Sequence, residues 1–165
     1  MRTALAPLPL LLFSACGPAP EPTTFIALER DFADYARWES TTFEVTALEG
    51  TEEGHGASVR RVFLSARPPA GAERWPVGTM LVKELPEVTL AMAKRGGDFN
   101  AAGAVGWEWF GLARDANGTV RIKWRGLGAP LGNEYGSSSA TCNNCHASAS
   151  QLDGVLTPAF RLLSK

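Results

Sequence analysis

The sequence has little cysteine and histidine: three cysteines and two histidines among 165 residues. Three cysteines are too few for a small domain held together by disulfides. There is no excess of charge of one sign either, since the sequence has 16 lysines and arginines and 17 acidic residues, which give a formal net charge of −1. Nucleic-acid-binding proteins need a basic excess or stripe, so we expect no nucleic-acid partner. No apolar run reaches the roughly 18 residues that a membrane-spanning helix needs.

The first 15 residues have the layout of a secretory signal. Arg2 supplies a positive charge, an apolar stretch follows, and the segment ends in the small residues Ser14 and Ala15. Cys16 comes next, and the four residues that end there resemble the bacterial lipobox, whose cysteine receives diacylglycerol. We predict a lipoprotein signal peptide, lipidation of Cys16, and export to the periplasmic or extracytoplasmic side of a bacterial membrane. An ordinary signal peptide or a buried N-terminal helix is the alternative.

Residues 16–24 predict an extended tether, because three prolines lie among the eight residues 17–24. From residue 25 the pattern becomes globular. A content of 45% hydrophobic and 20% charged residues is ordinary for a folded protein. We therefore predict one folded domain over residues 25–165.

Apolar spacing in the folded part favours strands over helices. Residues 31–38 have helical spacing, and residues 88–94 fit either type. We expect strands at 43–48, 59–66 and 79–85, and a hairpin of 107–114 and 119–125 around a turn at 115–118. The predicted class is α+β: an antiparallel sheet with a few helices.

The second hairpin strand alternates apolar and basic residues. This predicts that Val120, Ile122 and Trp124 share one face and that the three basic residues between and after them share the other. A solvated basic face is the simpler interpretation, and a docking patch is the alternative.

The segment 141–146 contains C-x-x-C-H, the attachment sequence for c-type haem. Thiols three residues apart, at Cys142 and Cys145, reach two vinyl groups on one porphyrin edge. His146 then lies beneath the iron as its proximal ligand. We predict one covalently attached haem c, with Cys16 lipidated and no cysteine left over.

Three other roles for these residues are weaker. A redox dithiol does not need the histidine and usually lies early in a βαβ unit. A zinc site needs about four ligands, which would take both cysteines, His146 and His55. A disulfide between Cys142 and Cys145 would close a strained, very short loop.

The sixth iron position is predicted to be open to a small molecule or water. His55 is the one remaining histidine, and its Gly-His-Gly setting is typical of an exposed loop. Met80 and Met92 are possible ligands, although methionines in apolar elements are more often core residues.

The sequence resembles the cytochrome P-460 family, whose relatives include cytochrome c-prime-beta. The resemblance is carried by residues 75–84, 106–110 and 142–146, followed in the chain by 153–157. The resemblance covers about residues 32–163. It implies a large antiparallel sheet, a few helices and a homodimer. Enzymatic members oxidise hydroxylamine and carry a lysine bonded to the porphyrin edge, which by residue match is Lys83.

Strand geometry alone leaves two settings for Lys83. On an extended strand it shares a face with Leu81 and Leu85. It lies either at a sheet edge, reaching water, or in an apolar pocket, where burial lowers its pKa and leaves a nucleophilic neutral amine.

The resemblance, together with the open iron position, implies an oxidoreductase that acts on hydroxylamine or a related small nitrogen oxide and passes electrons to a soluble or membrane acceptor. A non-enzymatic nitric-oxide-binding or electron-transfer cytochrome is the alternative. Glu134 is the candidate proton acceptor, and Asp98 and Glu84 are weaker candidates for the same role. Three aromatic residues are candidates for a pocket wall or for the core: Phe63, Phe99 and Trp109.

Overall fold

A computed structural model describes residues 23–45, 58–133 and 141–162. Six strands form one antiparallel sheet whose spatial order is the chain order. The strands are β1 Glu39–Val45, β2 Ser58–Leu64, β3 Met80–Glu84, β4 Thr89–Lys94, β5 Trp107–Arg114 and β6 Val120–Gly126. The helices of the described residues are short: α1 Thr141–Ala147 and the 3-10 helices Glu29–Phe32, Tyr35–Arg37, Ser150–Leu152 and Pro158–Phe160. The predicted antiparallel sheet is confirmed, and the described fold is mostly β.

The helical spacing at 31–38 does not produce one continuous helix. Two 3-10 helices, Glu29–Phe32 and Tyr35–Arg37, take its place because Asp34 between them has φ −106° and ψ 18°, outside helical values. The first of them is closed at its start by the Leu28 backbone N–H, which donates to the Asp31 carboxylate at 2.7 Å.

Residues 88–94, whose type the sequence leaves undecided, form β4. This strand pairs with β3 on one side and β5 on the other, and its apolar residues are buried. The first strand begins earlier than expected, at Glu39, and residues 46–48 of the prediction lie outside the described residues.

The core occupies both faces of the sheet. On one face Phe32, from the segment before β1, packs in a cluster with Val82. On the opposite face Leu81 packs in a cluster with Val155 and Phe160 from the C-terminal segment. We call this second side the motif face, because α1 packs on it through Cys142 and Ala147.

The side chains of β6 do not all lie on the faces that simple alternation predicts, because the pairing of β5 and β6 contains a β-bulge. The pairing shifts register so that Leu112 faces Ile122 while Gly111 faces Trp124. Ile122 therefore packs with the cluster opposite the motif face, whereas Trp124 packs on the motif face. Simple alternation placed Val120, Ile122 and Trp124 together, but one extra residue in a strand reverses the facing beyond it.

The basic residues of β6 are largely paired within the protein. Arg121 lies 3.1 Å from Glu29, and Arg125 lies 2.7 Å from Glu108, whose side chain is 3% exposed. Lys123 between them is exposed. This internal pairing favours the interpretation of these basic residues as an ordinary sheet surface over that of a docking patch.

No helix within the described residues combines the length and apolar character needed to cross a bilayer. Cys16, the signal peptide and most of the predicted tether lie outside those residues. Thr24, the last tether residue, forms an isolated bridge with Gly96, and the next backbone N–H, that of Phe25, donates to Arg95.

Candidate functional site

Helix α1 carries the three residues of the C-x-x-C-H motif. Cys142 is half-buried, Cys145 is exposed, and both are free thiols. Residues three apart on a helix share one side, so the two sulfurs belong to the same side of α1. Burial raises the pKa of the Cys142 thiol, against the opposing effects of a backbone hydrogen bond from Ala129 and the charge of Lys83.

His146 is held in one orientation by a backbone carbonyl. Its Nδ1 lies 2.6 Å from the Gly154 oxygen. A carbonyl only accepts hydrogen bonds, so Nδ1 carries the proton and Nε2 keeps its lone pair. Burial lowers the pKa of His146 to about 4, opposed by the bond to Gly154 and assisted by the charge of Lys83. The imidazole is therefore neutral near pH 7, which is the form that binds a metal.

Lys83 is an interior-strand lysine that faces this motif. Its strand β3 lies between β2 and β4, and Lys83 pairs with Val62 and Leu90 across them. The sheet-edge setting is therefore wrong. Burial, followed by the positive charge of Arg60, lowers the pKa of Lys83 to about 7, while the thiols of Cys142 and Cys145 raise it. Lys83 is thus within electrostatic range of both cysteines and of His146.

Trp109 brings an aromatic ring to the same place. Its ring centroid lies 5.7 Å from that of His146, with the planes tilted by 59°. Trp109 is 4% exposed, and its indole N–H has no acceptor among the described residues, as is also true of buried Trp75. A buried donor without an acceptor is costly, and it is the kind of group that a bound molecule satisfies.

Asn143, within the motif, anchors α1 to the loop before β5. Its side-chain oxygen accepts a 2.6 Å bond from Asn100 Nδ2 and a 2.9 Å bond from the Ala104 backbone N–H. A Cβ at Gly103 would collide with the Asn143 amide. The sequence motif does not single out Asn143, because it constrains only its two cysteines and its histidine. An asparagine inside a helix, where its propensity is poor, is the available signal.

Three candidates lie on the other face of the sheet: Glu84 is wrong as a site residue, whereas the core placement that the sequence favours for Phe63 and Met80 is confirmed. Glu84 accepts a 2.7 Å bond from the Tyr35 hydroxyl there. Phe63 and Met80 belong to the same opposite cluster, so Phe63 does not wall the site and Met80 does not reach the motif. Alternation along each strand places these side chains opposite Lys83 and Trp109.

The remaining candidates divide between the described and undescribed residues. Met92 is buried in the motif-face cluster, Asp98 is exposed, and Phe99 lies under the Arg95 guanidinium at 4.5 Å. Glu134 and His55 lie outside the described residues, so their roles stay predictions.

The described residues contain no group of three or more His, Cys, Asp or Glu side chains that would hold a metal ion. No family model matches the chain, and neither a curated protein nor a solved structure shows significant similarity to it.

Proposed function

We propose that this protein is an exported, lipid-anchored mono-haem cytochrome c of the cytochrome P-460 type. Cys142 and Cys145 would hold the haem through thioethers, and His146 would bind its iron. The observation that carries the proposal is the position of Lys83. The lysine matched to the porphyrin-bonded residue of that family lies on the motif face, in electrostatic range of all three motif residues.

The local chemistry supports a haem at this place. Two free thiols share one side of α1, and the His146 ring has Nδ1 engaged by Gly154 and Nε2 available. The indole N–H of Trp109 has no partner among the described residues. Thiol, imidazole and unsatisfied donor are the groups that a covalently bound haem requires or satisfies.

We propose oxidation of hydroxylamine or a related small nitrogen oxide as the reaction, with the electrons passed to a soluble or membrane acceptor. A bound haem would supply the redox centre for this chemistry. With a pKa of about 7, the Lys83 amine is partly neutral at neutral pH, so its Nζ can accept a proton. A bond from Nζ to a porphyrin edge carbon would replace one N–H and one C–H bond, and a two-electron oxidant of the peroxide class would have to take up the two hydrogens. Glu134 remains the candidate for receiving the substrate proton.

The test is expression with haem-attachment machinery, followed by spectroscopy and intact-mass measurement. We expect coloured protein with one haem, a strongly red-shifted ferrous Soret band, and a mass two hydrogens below that of thioether attachment alone. Dye reduction should depend on hydroxylamine. The double variant Cys142→Ala, Cys145→Ala should lose covalent haem, and Lys83→Met should return the Soret band to its usual position. Lys123→Met, which changes an exposed lysine, is the matched control.

Other results would change the assignment. Correctly matured protein without colour would overturn the haem proposal. A five-coordinate haem with an unshifted Soret band and no turnover would favour a nitric-oxide-binding cytochrome. A low-spin spectrum would identify a sixth protein ligand and favour electron transfer.

A further inference from the structure

A buried ion pair lies behind the histidine of the motif. Lys94 Nζ is 2.7 Å from Asp153 Oδ1 and 2.9 Å from Oδ2, and the two side chains are 7% and 10% exposed. The Trp75 backbone N–H donates to Asp153 Oδ2 at 2.8 Å. The Trp107 indole N–H donates to the Asp153 carbonyl at 2.7 Å. Four bonds from three separate elements therefore fix one residue.

This residue adjoins the carbonyl that holds His146. Asp153 and Gly154 both have left-handed backbone conformations, with φ of 46° and 77°. The left-handed region is uncommon for non-glycine residues, although aspartate tolerates it better than most, and the contacts of Asp153 help to hold it there. The turn is closed by the Gly154 N–H, which donates to Ala149 at 3.0 Å. This turn places the Gly154 oxygen 2.6 Å from His146 Nδ1.

We propose that Lys94 and Asp153 are positioning residues for the proximal histidine, an inference that rests on the proposed haem site. The ion pair holds the backbone of residues 153–154 in its left-handed turn. That turn presents the Gly154 carbonyl to Nδ1 and leaves Nε2 as the ligand atom. Because Lys94 and the Trp75 N–H occupy the Asp153 carboxylate, Nδ1 has a neutral carbonyl as its partner. A partner of Nδ1 sets the tautomer, orientation and basicity of a metal-binding histidine.

A core ion pair that serves only stability is the competing explanation, and the protein contains a matched control. Glu108 is also buried, with its side chain 3% exposed, and lies 2.7 Å from Arg125 and 3.3 Å from Arg95. It projects from β5 next to Trp107 and Trp109, on the face opposite the motif. Glu108→Gln therefore removes a buried charge partner without touching the turn at Gly154.

The first measurement uses full-length protein without haem, so it does not depend on the proposed function. Nitrogen NMR of the histidine rings, assigned with His55→Gln, reports the tautomer of His146. We expect Nδ1–H in the wild type. In Asp153→Asn or Lys94→Met the ratio of Nδ1–H to Nε2–H should fall about fivefold, the effect of one lost hydrogen bond. Glu108→Gln should leave this ratio unchanged, and Lys94→Arg should restore much of it.

The second measurement uses haem-loaded protein. Asp153→Asn and Lys94→Met should shift the iron–histidine stretching frequency and the midpoint potential, whereas Glu108→Gln should lower Tm and move neither. An unchanged tautomer in both Asp153→Asn and Lys94→Met, or equal changes in Glu108→Gln, would overturn the positioning role. Absence of haem with the expected tautomer shift would instead reject the proposed function while leaving the arrangement around His146 intact.

Discussion

The indole of Trp124 lies against Gly111, so closely that a Cβ at position 111 would collide with the ring. The two residues face each other across β5 and β6, next to the bulge that brings Trp124 to the motif face. Bulges often redirect a side chain at a functional site. Here the bulge and the glycine act together, because the redirected indole occupies the space that a side chain at position 111 would fill.

Gly111→Ala should therefore displace Trp124. We expect a loss of about 1–3 kcal/mol in the free energy of unfolding, the usual cost of overpacking, measured by urea denaturation. The double variant Gly111→Ala, Trp124→Ala should lose less than the sum of the two single variants, since the collision is gone. Strict additivity would contradict the contact.

Asn143→Ala should loosen α1 from the loop before β5. The Ala104 N–H would lose its acceptor, and we expect a loss of about 1–3 kcal/mol in unfolding free energy. The control is Asn117→Ala in the exposed hairpin turn, which should cost less than about 0.5 kcal/mol. Equal losses in the two variants would show that Asn143 is not an anchor.

Lys83 should be the most reactive lysine of the protein near neutral pH. With a pKa of about 7, a large share of its amine is neutral at pH 7.5, whereas an exposed lysine has a pKa near 10.4. Brief reductive methylation with peptide mapping should modify Lys83 with a pH midpoint near 7. A midpoint for Lys83 near the ordinary lysine value of about 10.4 would contradict the lowered pKa.

The same shift predicts a pH dependence of stability in the haem-free protein. The folded-state pKa of about 7 lies below the unfolded value of 10.5, so the folded state binds fewer protons between those values. The free energy of unfolding should therefore fall as the pH is lowered from 10.5 to 7, and this contribution should stay constant below 7. Lys83→Met should lack that slope, as measured by urea denaturation across this range.

The predicted lipidation of Cys16 has its own test. Cys16→Ser should move the protein from the membrane fraction to the soluble fraction after export, because acyl chains provide the membrane affinity. Ser14→Thr, beside the same site, is a control that leaves the thiol in place. Membrane retention of Cys16→Ser would contradict lipid anchoring.

The strands were largely predictable because alternation and turn residues act locally. The hairpin of β5 and β6 shows why: Asp115 accepts backbone bonds from Asn117 and Thr119, and Gly118 has φ 79°. The bulge was not predictable, since which strand takes an extra residue depends on packing across the sheet.

The candidate site was predictable only where residue types suggest a particular chemistry. The motif identifies Cys142, Cys145 and His146. Lys83 could be singled out only through the family resemblance, and the face of the sheet on which it lies followed from alternation along its strand. Asn143 and the ion pair of Lys94 with Asp153 act through contacts 39 and 59 residues apart in the chain. No local pattern encodes such pairs.

The order of the sheet also bears on how the chain assembles. Each strand pairs with the strand next to it in the sequence, so every strand pairing is between chain neighbours and the sheet can form one hairpin at a time. Residues 141–162 add no strand to it. For the proposed haem attachment, docking of this segment after the sheet has formed would leave both thiols of α1 accessible until the scaffold that receives them is in place.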